Sequence, residues 1–182
     1  MKSCFAAAAL VLVCAAGTPE ARNIAPEPAP RPHNVLIFVA DGLRYDSVTA
    51  KTAPALWRVR HEGVDFTNSH SVFPTLTTVN ASAIATGHYP GDTGNYGNRI
   101  WSGSGVIQLE DDDQLAKANE QFGGNYLNET SLLAAARQAG FATAVLGKVG
   151  PVAIQDVTER DGSGTVVIDD GYGVAVAPAV LT

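Results

Sequence analysis

The chain has 182 residues, of which 46% are hydrophobic and 16% are charged. This composition excludes a disordered or collagen-like protein and is sufficient for a packed core in about one domain. Twelve Lys and Arg residues against eighteen Asp and Glu residues give a net charge of −6. The chain therefore lacks the basic surface typical of nucleic-acid-binding proteins, and it has no polybasic membrane patch.

The first 22 residues predict a secretory signal peptide. Lys2 precedes an apolar stretch, Phe5–Ala16, which is too short to span a membrane and is followed by small residues. A buried N-terminal helix is the alternative interpretation. A lipid anchor at Cys14 also stays open, although Val13 stands where a small residue is expected before a lipidated cysteine.

Cleavage of this signal between Ala16 and Arg22 would remove both cysteines of the chain. The mature protein would then have no disulfide, no thiolate zinc site and no cysteine nucleophile. This pattern predicts a periplasmic or secreted protein. Residues 23–32 contain four prolines and predict an extended linker, after which a folded region is expected over 33–182.

Strands and helices are predicted to alternate from His33 onward. Val35–Ala40 is a continuous apolar run, which is typical of a strand buried on both faces of a parallel sheet. In chain order we then expect a helix over 53–61, a strand over 64–71, a helix over 77–85, a loop over 87–105, a solvated charge run at 111–113, a helix from Thr130 or Ser131 to Gln138, and strands over 141–146 and 165–168. This alternation predicts an α/β fold in which a layered sheet carries helices on both faces.

Asp41 directly follows the first predicted strand. Ligand sites of α/β sheets gather at the carboxyl ends of the strands, and a carboxylate there can bind a metal ion. The alternative is a turn aspartate before Gly42 that is satisfied by backbone donors.

A cluster of hydroxyl residues opens the helix predicted to begin at Thr77. The N-terminus of a helix offers free N–H groups and the positive end of the dipole, which favour a phosphate or sulfate group. A hydroxyl in this position is a candidate nucleophile if a neighbouring metal ion activates it. The alternative is an ordinary threonine N-cap. Thr75 and Thr78 compete with Thr77 for the role of nucleophile.

These two features together resemble the alkaline phosphatase superfamily, and most closely its nucleotide pyrophosphatase/phosphodiesterase branch. The segment Val39–Arg44 (VADGLR) is similar to the strand end at which that branch carries a metal-binding Asp-Gly pair. Thr77 lies nine residues before Thr86 of a Thr-Gly pair, as the nucleophilic threonine of the family does. This spacing ranks Thr77 ahead of Thr75 and Thr78.

Further motifs extend the resemblance along the chain. Residues 72–77 (VFPTLT) are similar to the aromatic-Pro-Thr-x-Thr segment of the family, and Tyr89-Pro90 matches its Tyr-Pro. Asn98 falls where the family has an asparagine that donates to a phosphoryl oxygen. The resemblance runs from Asn34 to about Gly150 and is looser beyond Asn98.

The resemblance implies an alkaline-phosphatase-like fold and a metal-dependent hydrolase that acts on a phosphate ester or a nucleotide-like small molecule. It also implies two divalent metal ions, with zinc as the expected metal. Asp41 would hold one ion, and Thr77 would bind that ion and attack phosphorus in line. Asn98 and the N–H of Thr78 would stabilise charge on the equatorial oxygens. Lys148 follows Gly147 as a lysine does in related sulfatases, although a surface lysine is the alternative interpretation.

The chain departs from this family in its metal ligands. The family uses an Asp with a His four residues later, an Asp-His pair and a distant His, but this chain has no Asp-His dipeptide and no histidine after His88. Asp41 and Thr77 are the parts of the metal cage that can be recognised, and the second metal site is not encoded. We therefore expect residues 33–182 to be the N-terminal part of a larger, truncated hydrolase domain.

Two other functions stay open. A non-catalytic remnant or anion-binding module would keep the helix N-terminus at Thr77 without the metal cage. A sulfatase-like hydrolase is the other possibility, but the mature chain lacks the Cys/Ser-x-Pro-x-Arg motif of that branch.

Overall fold

The computed structural model describes residues 34–159 and 162–170. The chain divides into two units at the bond between Val39 and Ala40. The predicted signal peptide and the Pro-rich linker lie outside the described residues. No helix within the described ranges is long and apolar enough to cross a bilayer.

The described part of the first unit comprises residues 34–39. This segment carries no strand, and its five apolar side chains from Val35 to Val39 are exposed. The prediction of a buried strand over 35–40 is therefore wrong for this structure. An apolar run shows that a segment is suited to burial, but strand formation also requires a neighbouring strand with which it can pair.

The second unit contains six α-helices and four strands within its described residues. The helices are α1 (Pro54–Glu62), α2 (Thr77–Thr86), α3 (Pro90–Thr93), α4 (Asp112–Gln121), α5 (Leu132–Gln138) and α6 (Pro151–Gln155), with a 3-10 turn at Tyr45–Ser47. The strands are β1 (Arg99–Trp101), β2 (Val106–Gln108), β3 (Thr143–Gly147) and β4 (Thr165–Asp169). The predicted mixed α/β class is confirmed, and so are the helices and strands expected at α1, α2, α5, β3 and β4.

Three further local predictions are wrong. The segment 87–105, which was expected to be a loop, contains α3 and β1. Residues 64–71 form no strand, because a turn in which Ser69 N–H donates to Phe66 O interrupts the run. The charge run at 111–113 is not a loop but the start of α4. There the carboxylate of Asp111 accepts the Gln114 N–H at 3.0 Å and caps the helix. This hydrogen bond lowers the pKa of Asp111.

The strands form two sheets of two strands each. β1 and β2 are an antiparallel hairpin in which the buried side chains of Ile100 and Ile107 lie opposite each other. β3 and β4 are parallel, with Thr143 opposite Thr165, and α6 lies in the connection between them. This β3–α6–β4 unit is the crossover that parallel strands require.

In the core, α2 packs against α6, and α4 packs against β2 of the hairpin. α2 is rich in small residues, and the buried Ala81, Ser82 and Ala85 allow the two helices to approach closely. The Gln155 side chain then reaches the Ala81 carbonyl. The central apolar cluster consists of Ala81, Ile100, Ile107, Leu109, Leu115, Ala118, Tyr126, Leu127, Ala153, Ile154 and Val157. This packing holds the N-terminal end of α2 in a defined place.

The side chain of Arg137 on α5 makes hydrogen bonds to the β3–α6–β4 unit. The Arg137 guanidinium donates to the carboxylate of Asp156, whose side chain is 2% exposed, and to the hydroxyl of Thr165. The same carboxylate accepts the Thr158 hydroxyl at 2.8 Å. The buried carboxylate therefore depends on one arginine for its charge partner among the described residues.

The cluster also buries a hydroxyl that lacks a hydrogen-bond partner. Tyr126 is 5% exposed, its hydroxyl has no partner in the described part of the chain, and burial raises its pKa. We expect Tyr126→Phe to raise the free energy of unfolding by about 1 kcal/mol, because an unsatisfied polar group is removed without a change of shape. Urea unfolding measures this change.

Tyr96→Phe is the matched control for that prediction. The Tyr96 hydroxyl accepts the Trp101 N–H at 3.0 Å, so its removal is expected to lower stability instead. A loss of stability in Tyr126→Phe as large as that in Tyr96→Phe would contradict an unsatisfied hydroxyl.

Candidate active site

Thr77 is the first residue of α2, and the segment that leads to it is held by a side chain one turn further on. Asn80 Oδ1 accepts the Val72 N–H at 2.9 Å, and Asn80 Nδ2 donates to the Leu76 carbonyl at 3.0 Å. These bonds fasten the extended approach to the helix and so define where Thr77 lies. The sequence alone does not indicate this role of Asn80, since an amide one turn into a helix is a weak signal.

Thr77 and Asp41 are brought together across 36 positions of the chain. The Thr77 Oγ1 donates to Asp41 Oδ2 at 3.3 Å. Asp41 lies in a tight turn that is closed by the Leu43 N–H on the Ala40 carbonyl, with Gly42 at a φ of +75°. A positive φ at the third residue of a turn favours glycine. The turn of the alternative interpretation is therefore present, but the Asp41 carboxylate accepts from the Thr77 hydroxyl and from no backbone N–H of the described residues.

Thr78 is the most buried of the three competing threonines. Its hydroxyl donates to the Gly97 carbonyl at 3.0 Å, and its N–H donates to Asn98 Oδ1 at 3.1 Å. The expectation that this N–H is available to a phosphoryl oxygen is therefore wrong. Thr75 lies outside the helix and is exposed, whereas Thr77 is half-buried.

Asn98 is fixed in orientation by these contacts. Its Oδ1 faces an N–H donor, so the opposite end of the amide is the Nδ2 group, which has no hydrogen-bond partner among the described residues. The backbone of Asn98 is anchored as well, because its carbonyl accepts the Leu109 N–H at 2.9 Å. Asn98 thus presents a free donor near the N-terminus of α2.

Asn95 is a buried residue whose side chain makes a hydrogen bond to the first turn of α2. Its side chain is fully buried, and Nδ2 donates to the Thr78 carbonyl at 2.9 Å. No motif in the sequence indicates Asn95, because the surrounding Gly-rich segment predicts a loop.

Lys148 follows β3 and pairs with a residue that the sequence analysis did not consider. Its Nζ donates to Glu110 Oε1 at 2.6 Å. This bond raises the pKa of Lys148, and the nearby carboxylates of Asp41 and Asp170 add to the effect.

These residues do not make up a metal site. Residues 34–159 and 162–170 contain no group of three or more His, Cys, Asp or Glu side chains that could hold a metal ion. Asp41 and Thr77 offer two oxygen donors, whereas zinc sites in proteins use at least three protein ligands. The described residues alone therefore do not fit the two divalent ions expected from the resemblance.

Comparison with protein families identifies the chain. The model of the family described as type I phosphodiesterase/nucleotide pyrophosphatase matches residues 35–172, which is more than half of the chain. The chain belongs to this family. Searches of curated proteins and of solved structures gave no match.

Membership of the type I phosphodiesterase/nucleotide pyrophosphatase family confirms the resemblance to the alkaline phosphatase superfamily and to its mixed α/β fold. The family hydrolyses phosphate esters and nucleotides, and it is generally metal-dependent. The matched range includes Asp41, Thr77, Asn98 and Lys148. The roles of these four residues stay predictions, and they form the basis of the proposal below.

Proposed function

We propose that this member of the phosphodiesterase family hydrolyses phosphoric esters with Thr77 as its nucleophile. The observation that supports this proposal is the 3.3 Å contact between Thr77 Oγ1 and Asp41 Oδ2 at the N-terminus of α2. A nucleophilic hydroxyl needs a neighbouring group that can accept its proton, and the carboxylate of Asp41 is such a group.

The proposed first step transfers the phosphoryl group to the protein. Thr77 Oγ1 forms a bond to phosphorus in line with the leaving oxygen, while the bond between phosphorus and that oxygen breaks. The hydroxyl proton passes to Asp41, and the leaving group departs with the bonding electron pair. Water then hydrolyses the threonine ester, which regenerates the hydroxyl and releases the phosphate product.

Charge on the transferred group needs stabilisation in this step. The N-terminus of α2 supplies a positive dipole end, and the Thr77 N–H has no partner among the described residues. The Nδ2 group of Asn98 is a second donor in reach of the same helix end. Donors that are already oriented stabilise developing charge without reorganisation during the reaction.

Two further parts of the proposal concern the metal ions and the location of the protein. We propose divalent metal ions, with zinc as the expected metal, because the family is metal-dependent; further ligands must then join Asp41 and Thr77. We also propose a periplasmic or secreted location, because residues 1–22 have the pattern of a signal peptide.

A non-catalytic anion-binding module is the second candidate. The observation that favours it is the lack of a three-ligand metal group among the described residues. Such a module would keep the helix N-terminus and the donors at Thr77 and Asn98 and would bind a phosphate group without turnover.

Hydrolysis of three aryl esters separates these candidates. The chain is incubated with bis(p-nitrophenyl) phosphate, p-nitrophenyl phosphate and p-nitrophenyl sulfate, each with added Zn²⁺ or with EDTA. We expect hydrolysis of the phosphate esters, no hydrolysis of the sulfate, and a phosphoryl adduct on Thr77 after an acid quench and mass spectrometry. Phosphate binding without turnover would favour the anion-binding module, and preferred sulfate hydrolysis would contradict both.

A further inference from the structure

Glu110 belongs to none of the motifs in the sequence, yet its carboxylate pairs with Lys148, which is one of the candidate site residues. The Nζ of Lys148 donates to Glu110 Oε1 at 2.6 Å across 38 positions of the chain. Both side chains are accessible, with exposed fractions of 52% for Lys148 and 25% for Glu110. A lysine side chain has a flexible four-carbon stem, so an exposed ammonium group takes a fixed position only when a partner holds it.

The backbone around this pair is also fixed. A Cβ atom on Gly150 would lie 2.6 Å from the Leu109 carbonyl oxygen and 2.7 Å from the Glu110 Cα, so the turn after Lys148 packs directly against residues 109–110. The Val149 N–H donates to Asp170 Oδ1 at 2.8 Å on the other side of the turn. The contact between the two segments therefore does not depend on the Glu110 side chain.

Because the backbone already joins the two segments, the contribution of the Glu110 side chain is the charge of its carboxylate. Exposed ion pairs contribute little to stability, and the backbone packing already joins the two segments. Backbone contacts join this pair to the candidate site, because the Leu109 N–H donates to the Asn98 carbonyl at 2.9 Å and Asn98 Oδ1 accepts the Thr78 N–H at 3.1 Å. The residue before Glu110 therefore contacts Asn98 at the start of α2. An ammonium group has three donors, so Lys148 can keep Glu110 and still donate to a second acceptor.

We propose that Glu110 is a positioning residue that holds the Lys148 ammonium on the side of Asn98 and the start of α2, where it contacts a phosphoryl oxygen of the substrate. This inference rests on the proposed function, since it assigns the phosphate group to the same site. Glu110 acts through Lys148 and does not touch the substrate. Lys148 in turn supplies the positive charge that Asp41 and the half-buried Thr77 lack.

Inorganic phosphate is the probe for the test. The full chain is titrated with phosphate at neutral pH, and binding is followed through the backbone amide signals of Thr77 and Lys148 by NMR. The variants are Glu110→Ala, Glu110→Gln, Lys148→Ala and the double variant Glu110→Ala/Lys148→Ala. Glu120→Ala is the matched control, because Glu120 is an exposed glutamate of α4 that makes no ion pair within the described residues.

Loss of a charge-assisted contact predicts that Glu110→Ala and Lys148→Ala each weaken phosphate binding by about threefold to tenfold. Glu110→Ala should cause no further loss when Lys148 is already alanine, because its effect passes through that side chain. Glu110→Gln should lie between the wild type and Glu110→Ala, since its amide oxygen still accepts a hydrogen bond. Glu120→Ala should bind phosphate as the wild type does.

Each other outcome has a definite meaning. If phosphate binds to the wild type and Glu110→Ala leaves the affinity unchanged, or lowers it equally in both Lys148 backgrounds, this inference is wrong and the proposed function stands. If the wild type shows no phosphate binding at Thr77, the proposed function fails and this inference fails with it. Thermal unfolding of each variant identifies any loss that is due to misfolding.

Discussion

Replacement of Thr77 with alanine is expected to lower the hydrolysis of bis(p-nitrophenyl) phosphate on the order of a thousandfold or more, because loss of a nucleophile removes the covalent route. The hydroxyl of Thr77 donates to Asp41 Oδ2 at 3.3 Å, and neither neighbouring threonine has such a contact. The rate of p-nitrophenol release and the phosphoryl adduct in mass spectra are the two measurements.

Two variants serve as controls for this result. Thr77→Ser keeps a hydroxyl at the first residue of α2 and should retain measurable turnover. Thr75→Ala removes an exposed hydroxyl outside the helix and should leave turnover close to that of the wild type. A chain in which Thr77→Ala turns over normally while Thr75→Ala does not would reject Thr77 as the nucleophile.

The second large effect is expected for stability. Arg137→Met leaves the carboxylate of Asp156, which is 2% exposed, without its charge partner, and we expect a loss of about 3–5 kcal/mol in the free energy of unfolding. The methionine keeps much of the apolar stem, so the loss reports mainly the unpaired charge. Urea unfolding followed by circular dichroism measures it.

A second variant tests whether the loss of stability comes from the unpaired carboxylate of Asp156. Asp156→Asn in the Arg137→Met background should recover part of the loss, because an amide is less costly to bury than a carboxylate. Arg58→Met is the matched control: Arg58 is exposed on α1 and pairs with no acid in the described residues, so its loss should stay within about 0.5 kcal/mol. Equal losses in Arg58→Met and Arg137→Met would contradict the importance of the buried pair.

Several elements could be predicted because their signals are local. α5 begins at its Ser131 cap, whose hydroxyl accepts the Ala134 N–H at 3.1 Å, and it ends before Gly140, which has a positive φ. Both features are properties of single residues at fixed offsets. The same kind of local signal exists at α4, where Asp111 of the charge run caps the helix by accepting the N–H of Gln114 three residues later.

The predictions of strands show the opposite case. Val35–Ala40 is a continuous apolar run and residues 64–71 are also predicted to be a strand, but neither segment forms a strand in this structure. The strand at Thr143–Gly147 does form, because it pairs in register with residues 165–169. A strand is stabilised by a partner that lies far away in the sequence, and composition cannot supply that partner.

The sequence by itself determined the family, the start of α2 and the selection of Asp41, Thr77 and Asn98, because Asp-Gly, Thr-Gly and their spacing are short-range patterns. Only the tertiary structure decided which hydrogen-bond partners these residues have. It engages the Thr78 N–H with Asn98 and pairs Lys148 with Glu110. Hydrogen bonds between such distant residues depend on how the chain folds back on itself, and no local pattern records that geometry.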